Sequence, residues 1–187
     1  MEIFQRPSPV HKGDNGYLLG NPSPVNEQTP HGINPGVLLV ELIMSADRII
    51  VASEAAQAPT DLDTWPAQVI LGHLTQVDEE VWSERIRAIL DANYNERHPG
   101  GANFPWWEPD PVATRERYMD QERSSVAADF LAMRTALLML LKGLDAAIWQ
   151  RTWHHEVRGE LTLTDLVLWI LEHDEEHRGS LLRLVAP

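Results

Sequence analysis

Residues 159–177 read GELTLTDLVLWILEHDEEH, a turn, a cap and an apolar stripe in direct succession. Gly159 offers a turn. Thr162-Leu163-Thr164-Asp165 has the spacing of a capping box, in which the Thr hydroxyl and an acid three residues on satisfy each other's backbone N–H groups. Behind the cap, Leu166, Val167 and Ile170 recur at three- and four-residue intervals, and Leu181 and Leu184 prolong the stripe, so an amphipathic helix is predicted. His173 and His177 lie on that stripe, one above the other at four-residue spacing. Two imidazoles on the apolar face of a core helix are out of place for solvent.

Three further helices are expected upstream. Of the 13 prolines, none falls in 37–58, 67–98 or 112–186, and long helices run where proline is absent. The first starts at Asn34-Pro35, a cap residue followed by proline at the first helical position, and carries Leu39, Leu42, Ile43, Ala46, Ile49 and Ile50. The second starts near Thr64-Trp65-Pro66 and runs to about Ala92 with Val69, Ile70, Val77, Val81 and Ile89 inward. The third starts by Ser124 or Ser125, with room for an earlier piece from Thr114, and carries Val126, Phe130, Met133, Leu137, Leu140, Leu141, Leu144 and Ile148. The loop 98–111 between helices two and three is long enough to cross the end of a bundle. Residues 1–33, rich in Pro and Gly, read as an arm without a long helix, and 34–187 as one domain. The fold class is therefore all-α, a four-helix bundle with one long crossover; at most Trp153 to Leu161 makes a small hairpin around Gly159.

Charge and composition narrow the function. With 15 Lys+Arg against 28 Asp+Glu the net charge is −13, which repels phosphate backbones and anionic lipid, so neither nucleic acid nor a membrane is an expected partner. No Cys occurs in the 187 residues, which removes disulfides, Cys-ligated metals and a protein thiol nucleophile. No apolar run approaches a spanning helix and the first residues lack a signal-peptide pattern, so the expected location is the cytoplasm.

His73 repeats on helix two what His173 and His177 do on helix four: Val69, Ile70 and Val77 flank it at helical spacing. Each buried neutral imidazole has a donor and an acceptor to satisfy, at a cost of about 1–3 kcal/mol for each left unpaired. Two readings stand side by side. Each His is a core residue bonded to a backbone carbonyl or a water, or the three hold one divalent cation. A ferritin-like di-iron site is set aside, because it requires Glu-x-x-His pairs and the chain has none.

Two blocks bear on that choice. The stretch WPAQVILGHL at 65–74, with Trp65 eight residues before His73, and the stretch at 159–177 ending in His-Asp-Glu-Glu-His resemble the second- and fourth-helix signatures of the DinB/YfiT-like superfamily. The resemblance covers about residues 34–185, and the arm before it departs from the compact family pattern. It implies an up-down-down-up bundle, one divalent metal ion (Zn, Ni or Fe) on His73, His173 and His177, frequent homodimers, and activity as a metal-dependent hydrolase or a thiol-dependent transferase or isomerase. A small cellular thiol then serves as cosubstrate, and Arg85, Arg87, Arg151 and Arg158 are the candidates to offset the acidic surface towards an anionic thiol. Three His leave a position open on a tetrahedral ion, as catalytic sites do. A fourth protein ligand from His154, His155 or Glu80 would close it and favour a non-catalytic, metal-stabilised stress or interaction protein.

Smaller expectations complete the reading. Glu80, seven residues after His73, shares its face and is a candidate general base, or marks the bundle end. Asp174 orients an imidazole, or belongs to a solvated face Asp174-Glu175-Glu176. His154 and His155 are expected in solvent, as are His11, His31 and His98. Trp106 and Trp107 wall a pocket or pin the crossover, and Trp82, Trp149 and Trp169 pack the core.

Overall fold

Asn34 caps the first helix as its sequence predicts: its side chain accepts the Gly36 N–H at 2.8 Å and Pro35 takes the first helical position. The computed structural model describes residues 33–61, 63–91 and 93–185; the expected arm 1–33, all but its last residue, and with it His11 and His31, lies outside them. Helix α1 spans Pro35–Ala55, α2 Ala67–Val77, and after a π-helical stretch, Asp78–Ser83, α3 runs over Glu84–Leu90. Then come α4 (Tyr94–Arg97), β1 (Asn103–Phe104), α5 (Pro111–Tyr118), α6 (Arg123–Leu141), α7 (Ala146–Trp149), β2 (Thr152–His155), β3 (Gly159–Thr162) and α8 (Leu163–Leu182).

The four long segments make the bundle, with α1 packed on α8 and α2 on α6. Their directions follow from hydrogen bonds. Arg123 at the start of α6 reaches the Ser53 and Ala56 carbonyls at the end of α1, so α6 starts at the end where α2 starts. The Gln57 N–H donates to the Leu184 carbonyl, and Ser45 reaches Asp174, so α1 and α8 run the same way. The order is up-down-down-up. Two apolar clusters fill the interior, one around Trp82, Trp149, Trp153 and Ile170, the other around Ile49, Ile70, Leu74 and Phe130. Helix α6 is apolar enough, with a mean hydropathy of 1.5, to pass as a membrane span by length and composition. It is one wall of this bundle, with Val126, Phe130, Arg134 and Leu137 buried.

The crossover is richer than the sequence suggests. Residues 98–111 read as plain loop, whereas β1 joins β2 in parallel, pairing Asn103 with His154 and Phe104 with His155. The predicted hairpin is present, β2 and β3 pairing antiparallel from Thr152↔Thr162 to His155↔Gly159. Gly159 takes a φ of +78° at the turn, which a side chain disfavours. The Tyr94 hydroxyl donates to the Thr152 carbonyl at 2.6 Å and accepts the Ala102 N–H at 2.9 Å, tying crossover to sheet. The capping box of α8 forms as expected, Thr162 N–H to Asp165 Oδ2 at 2.7 Å and Asp165 N–H to Thr162 Oγ1 at 3.2 Å.

One departure changes a site expectation. On an uninterrupted α-helix Glu80 would lie within about 20° of His73. The π stretch adds one residue to a turn and rotates everything beyond it by about 100°. Glu80 is therefore exposed, accepting from Gln76 Nε2 at 3.1 Å, while Val81, Trp82, Arg85 and Ile86 take the buried side.

Candidate metal centre

His73 enters the interior from α2, and His173 and His177 enter from successive turns of α8. All three are buried, with 0 %, 2 % and 0 % of their surface exposed. Their candidate ligand nitrogens lie within 4.8 Å of one another. Nε2 of His173 stands 3.4 Å from Nε2 of His73 and 3.1 Å from Nε2 of His177. Trp65 packs on the His73 ring at 5.5 Å and Trp82 on the His173 ring at 6.0 Å. Burial holds His73 and His173 well below the ordinary imidazole pKa, with neighbouring His rings adding to the effect. Burial pushes His177 down to about 4 against the opposing pull of Asp174. The rings are neutral at pH 7, the form that ligates metal.

The donor set fits a cation. One lone pair on His173 Nε2 cannot serve two linear hydrogen bonds, and no Nδ1 of the three has a hydrogen-bond partner among the described residues. Three nitrogens about 2.0–2.1 Å from one tetrahedral ion are separated by about 3.3 Å, close to the two spacings found.

A buried ion triad joins α6, the π stretch and α8. Arg134 of α6 bonds Asp78 through Nε at 2.8 Å and Nη2 at 3.1 Å, and Asp174 through Nη1 at 2.5 Å and Nη2 at 2.9 Å. Ser45 of α1 adds a bond to Asp174 at 2.7 Å. Asp174 is thus neither on a solvated face nor bonded to an imidazole; it is fully buried, with both oxygens engaged. Burial raises Asp78 to about 6 despite Arg134, and the two carboxylates raise the Arg134 pKa above its already high value. The signal was present in the sequence: Arg134 interrupts the stripe Phe130, Leu137, Leu141 at helical spacing.

The remaining candidates divide. His154 faces solvent as expected, but His155 is fully buried, because alternate residues of a strand point to opposite faces and Trp153 and His155 share the inner one. The His155 Nδ1 accepts the N–H groups of Val157 and Arg158 at 3.1 and 3.2 Å, and burial, with Arg85 and Arg158 nearby, pushes its pKa to about 4. Arg85 and Arg158 gather beside it, Arg87 pairs with Glu84 on the surface, and Arg151 Nη1 bonds the Ile89 carbonyl at 2.7 Å. Trp82, Trp149 and Trp169 are core residues, and Trp106 and Trp107 pack half-buried against the same core.

The family model of the DinB superfamily matches residues 49–181, a span that runs from α1 almost to the end of α8 and holds all three histidines. The chain belongs to the DinB superfamily. Among solved structures, YfiT from Bacillus subtilis, described as a probable metal-dependent hydrolase with an unusual four-helix bundle topology, is similar in fold: the TM-score is 0.61 at 17 % identity, covering 86 % of this chain and 93 % of that one. Among curated proteins none matches this sequence at a significant level. In this DinB bundle the three histidines meet between α2 and α8, where a bound ion would tie together helices 100 residues apart in sequence.

Proposed function

We propose that the chain binds one divalent metal ion through His73, His173 and His177 and uses it as an enzyme on a small molecule. The convergence of the three Nε2 atoms carries this reading. When bound, the ion supplies Lewis acidity that favours proton loss from a nucleophile. The protein holds neutral ligands in a buried setting, orients them from two helices, and has no thiol of its own. The nucleophile is accordingly external, water or a small cellular thiol.

Catalysis is favoured over a purely structural role because none of the three expected fourth ligands joins the cluster. Glu80 and His154 are exposed, and His155 is held by backbone N–H groups through Nδ1. Thiol transfer follows from the family resemblance, and hydrolysis is the alternative that the description of YfiT favours. Zn, Ni and Fe all suit imidazole ligands. A homodimer, a cytoplasmic location, and no nucleic-acid or membrane partner complete the proposal. Exposed apolar residues on α1 and α6, among them Ile43, Met44, Leu131 and Met139, supply a surface that a dimer would cover. Thermal-shift titration of metal-loaded and metal-free protein with a panel of small thiols tests the reaction class. A thiol that stabilises only the loaded form supports transfer. No such thiol, together with ester or amide hydrolysis by the loaded form alone, replaces transfer with hydrolysis.

A further inference from the structure

Four N–H groups beside the histidine cluster have no acceptor among the described residues: Arg85 Nη1, His155 Nε2, Arg158 Nε and Trp82 Nε1, each shielded from solvent. They surround one indole. The Trp169 ring lies 5.4 Å from the Arg85 guanidinium, 4.2 Å from that of Arg158, 4.9 Å from the His155 ring and 5.1 Å from Trp82. All four are donors. Arg and Trp nitrogens have no acceptor capacity, and His155, whose Nδ1 accepts two backbone N–H groups, carries its proton on Nε2.

The charge is also unbalanced. Arg158 pairs with Glu172 at 3.1 Å. Arg85, 5 % exposed, takes part in none of the ion pairs among the described residues, and its Nη2 bonds a neutral carbonyl, that of Pro105, at 2.9 Å. Aromatic faces surround this guanidinium, with Trp82, Phe104, Trp153 and Trp169 at 5.4–5.9 Å, but no anion among the described residues balances its charge.

We propose that Arg85, His155, Arg158 and Trp82 form a binding site for a carboxylate group of the substrate. One uncompensated positive charge matches a monoanion better than a doubly charged phosphate, and the aromatic surroundings suit a flat group. Trp106, half-buried in the crossover, stacks on Trp169 at 6.5 Å and forms the outer wall of this cluster. Trp169 precedes His173 by one turn of α8, about 6 Å along the axis. The substrate is then a small acid whose reacting group sits about one helical turn from its carboxylate. That last step rests on the metal reading above; the carboxylate site does not.

Calorimetric titration of the full chain after EDTA treatment, with benzoate as probe and benzamide and inorganic phosphate as controls, tests it. Benzoate is expected to bind saturably, at least tenfold more weakly to Arg85→Gln and to Arg158→Gln, and unchanged to Arg87→Gln; Arg158→Gln decides if Arg85→Gln fails to fold. Benzamide binding as well as benzoate, phosphate binding more tightly, or wild-type affinity in both arginine variants would overturn the site. Benzoate binding confined to metal-loaded protein and lost in His73→Ala would place the carboxylate on the ion and overturn it too. Benzoate binding by a chain that takes up no metal would leave this site standing and sink the metal reading alone.

Discussion

Removing the Arg134 guanidinium leaves Asp78 and Asp174 as two buried carboxylates, the second still bonded by Ser45. Breaking such a group by taking one partner costs about 3–5 kcal/mol. Arg134→Met should lower the urea unfolding free energy by that amount, and a loss below about 1 kcal/mol would show the triad to be dispensable. Acid should act through the histidines. His177, at about 4 in the fold against 6.5 in the unfolded chain, contributes stability that is present above pH 6.5 and lost as pH falls towards 4. At about 1.4 kcal/mol per pKa unit this is about 3 kcal/mol. His155, also at about 4, and His73 and His173, held well below the ordinary imidazole value, act in the same sense. Asp78, raised to about 6, acts oppositely: its contribution is present below about 4 and lost as pH rises through 6. One carboxyl against four imidazoles leaves the net direction clear. Unfolding titrations of EDTA-treated protein from pH 7 to 4 should show a steep fall in stability, and a flat or rising profile would contradict the buried neutral rings.

At the scale of elements, α2 carries two features that can be tested by small changes. A Cβ added at Gly72 would stand 2.2 Å from the Tyr118 ring of α5, so Gly72→Ala should cost about 1–3 kcal/mol through overpacking. The cost should shrink when Tyr118 is also replaced by Leu, and an additive double variant would show that the ring is not the obstacle. The π stretch sets the register of everything after it. Deleting exposed Glu79 should remove the extra residue and return the helix to 3.6 residues per turn while Trp82 and Ile86 keep the buried side, because the loss of one residue and the loss of the π turn cancel. Circular dichroism melts of this variant should therefore stay cooperative, like those of Glu79→Ala; a deletion variant that melts without cooperativity would show that the π stretch does not hold one extra residue. This stretch also explains a limit of the sequence reading. Apolar spacing located α2 well, but Asp78-Glu79-Glu80 interrupts the stripe with polar residues, and spacing alone does not report an extra residue in a turn. The two-residue β1 was invisible for a similar reason, being too short to alternate.

For the molecule as a whole, the caps at Asn34 and Thr162, the proline-free stretches and the three histidines on apolar stripes were legible, because each is a local pattern with a local cause. Asp78, Asp174 and His155 were not, since their burial depends on partners brought from distant parts of the chain: Arg134 for the two acids, the β1–β2 pairing and Trp169 for the histidine. A cation on residues from α2 and α8 would bridge these parts and favour the folded state by mass action, so metal-loaded protein should melt above EDTA-treated protein, with the difference vanishing in His73→Ala. The most direct test is elemental analysis of the chain purified without a His-tag or chelating column, alongside His73→Ala. Close to one divalent ion per wild-type chain is expected, and none in the variant. A folded wild-type chain that carries no metal and takes up none when it is supplied would contradict it.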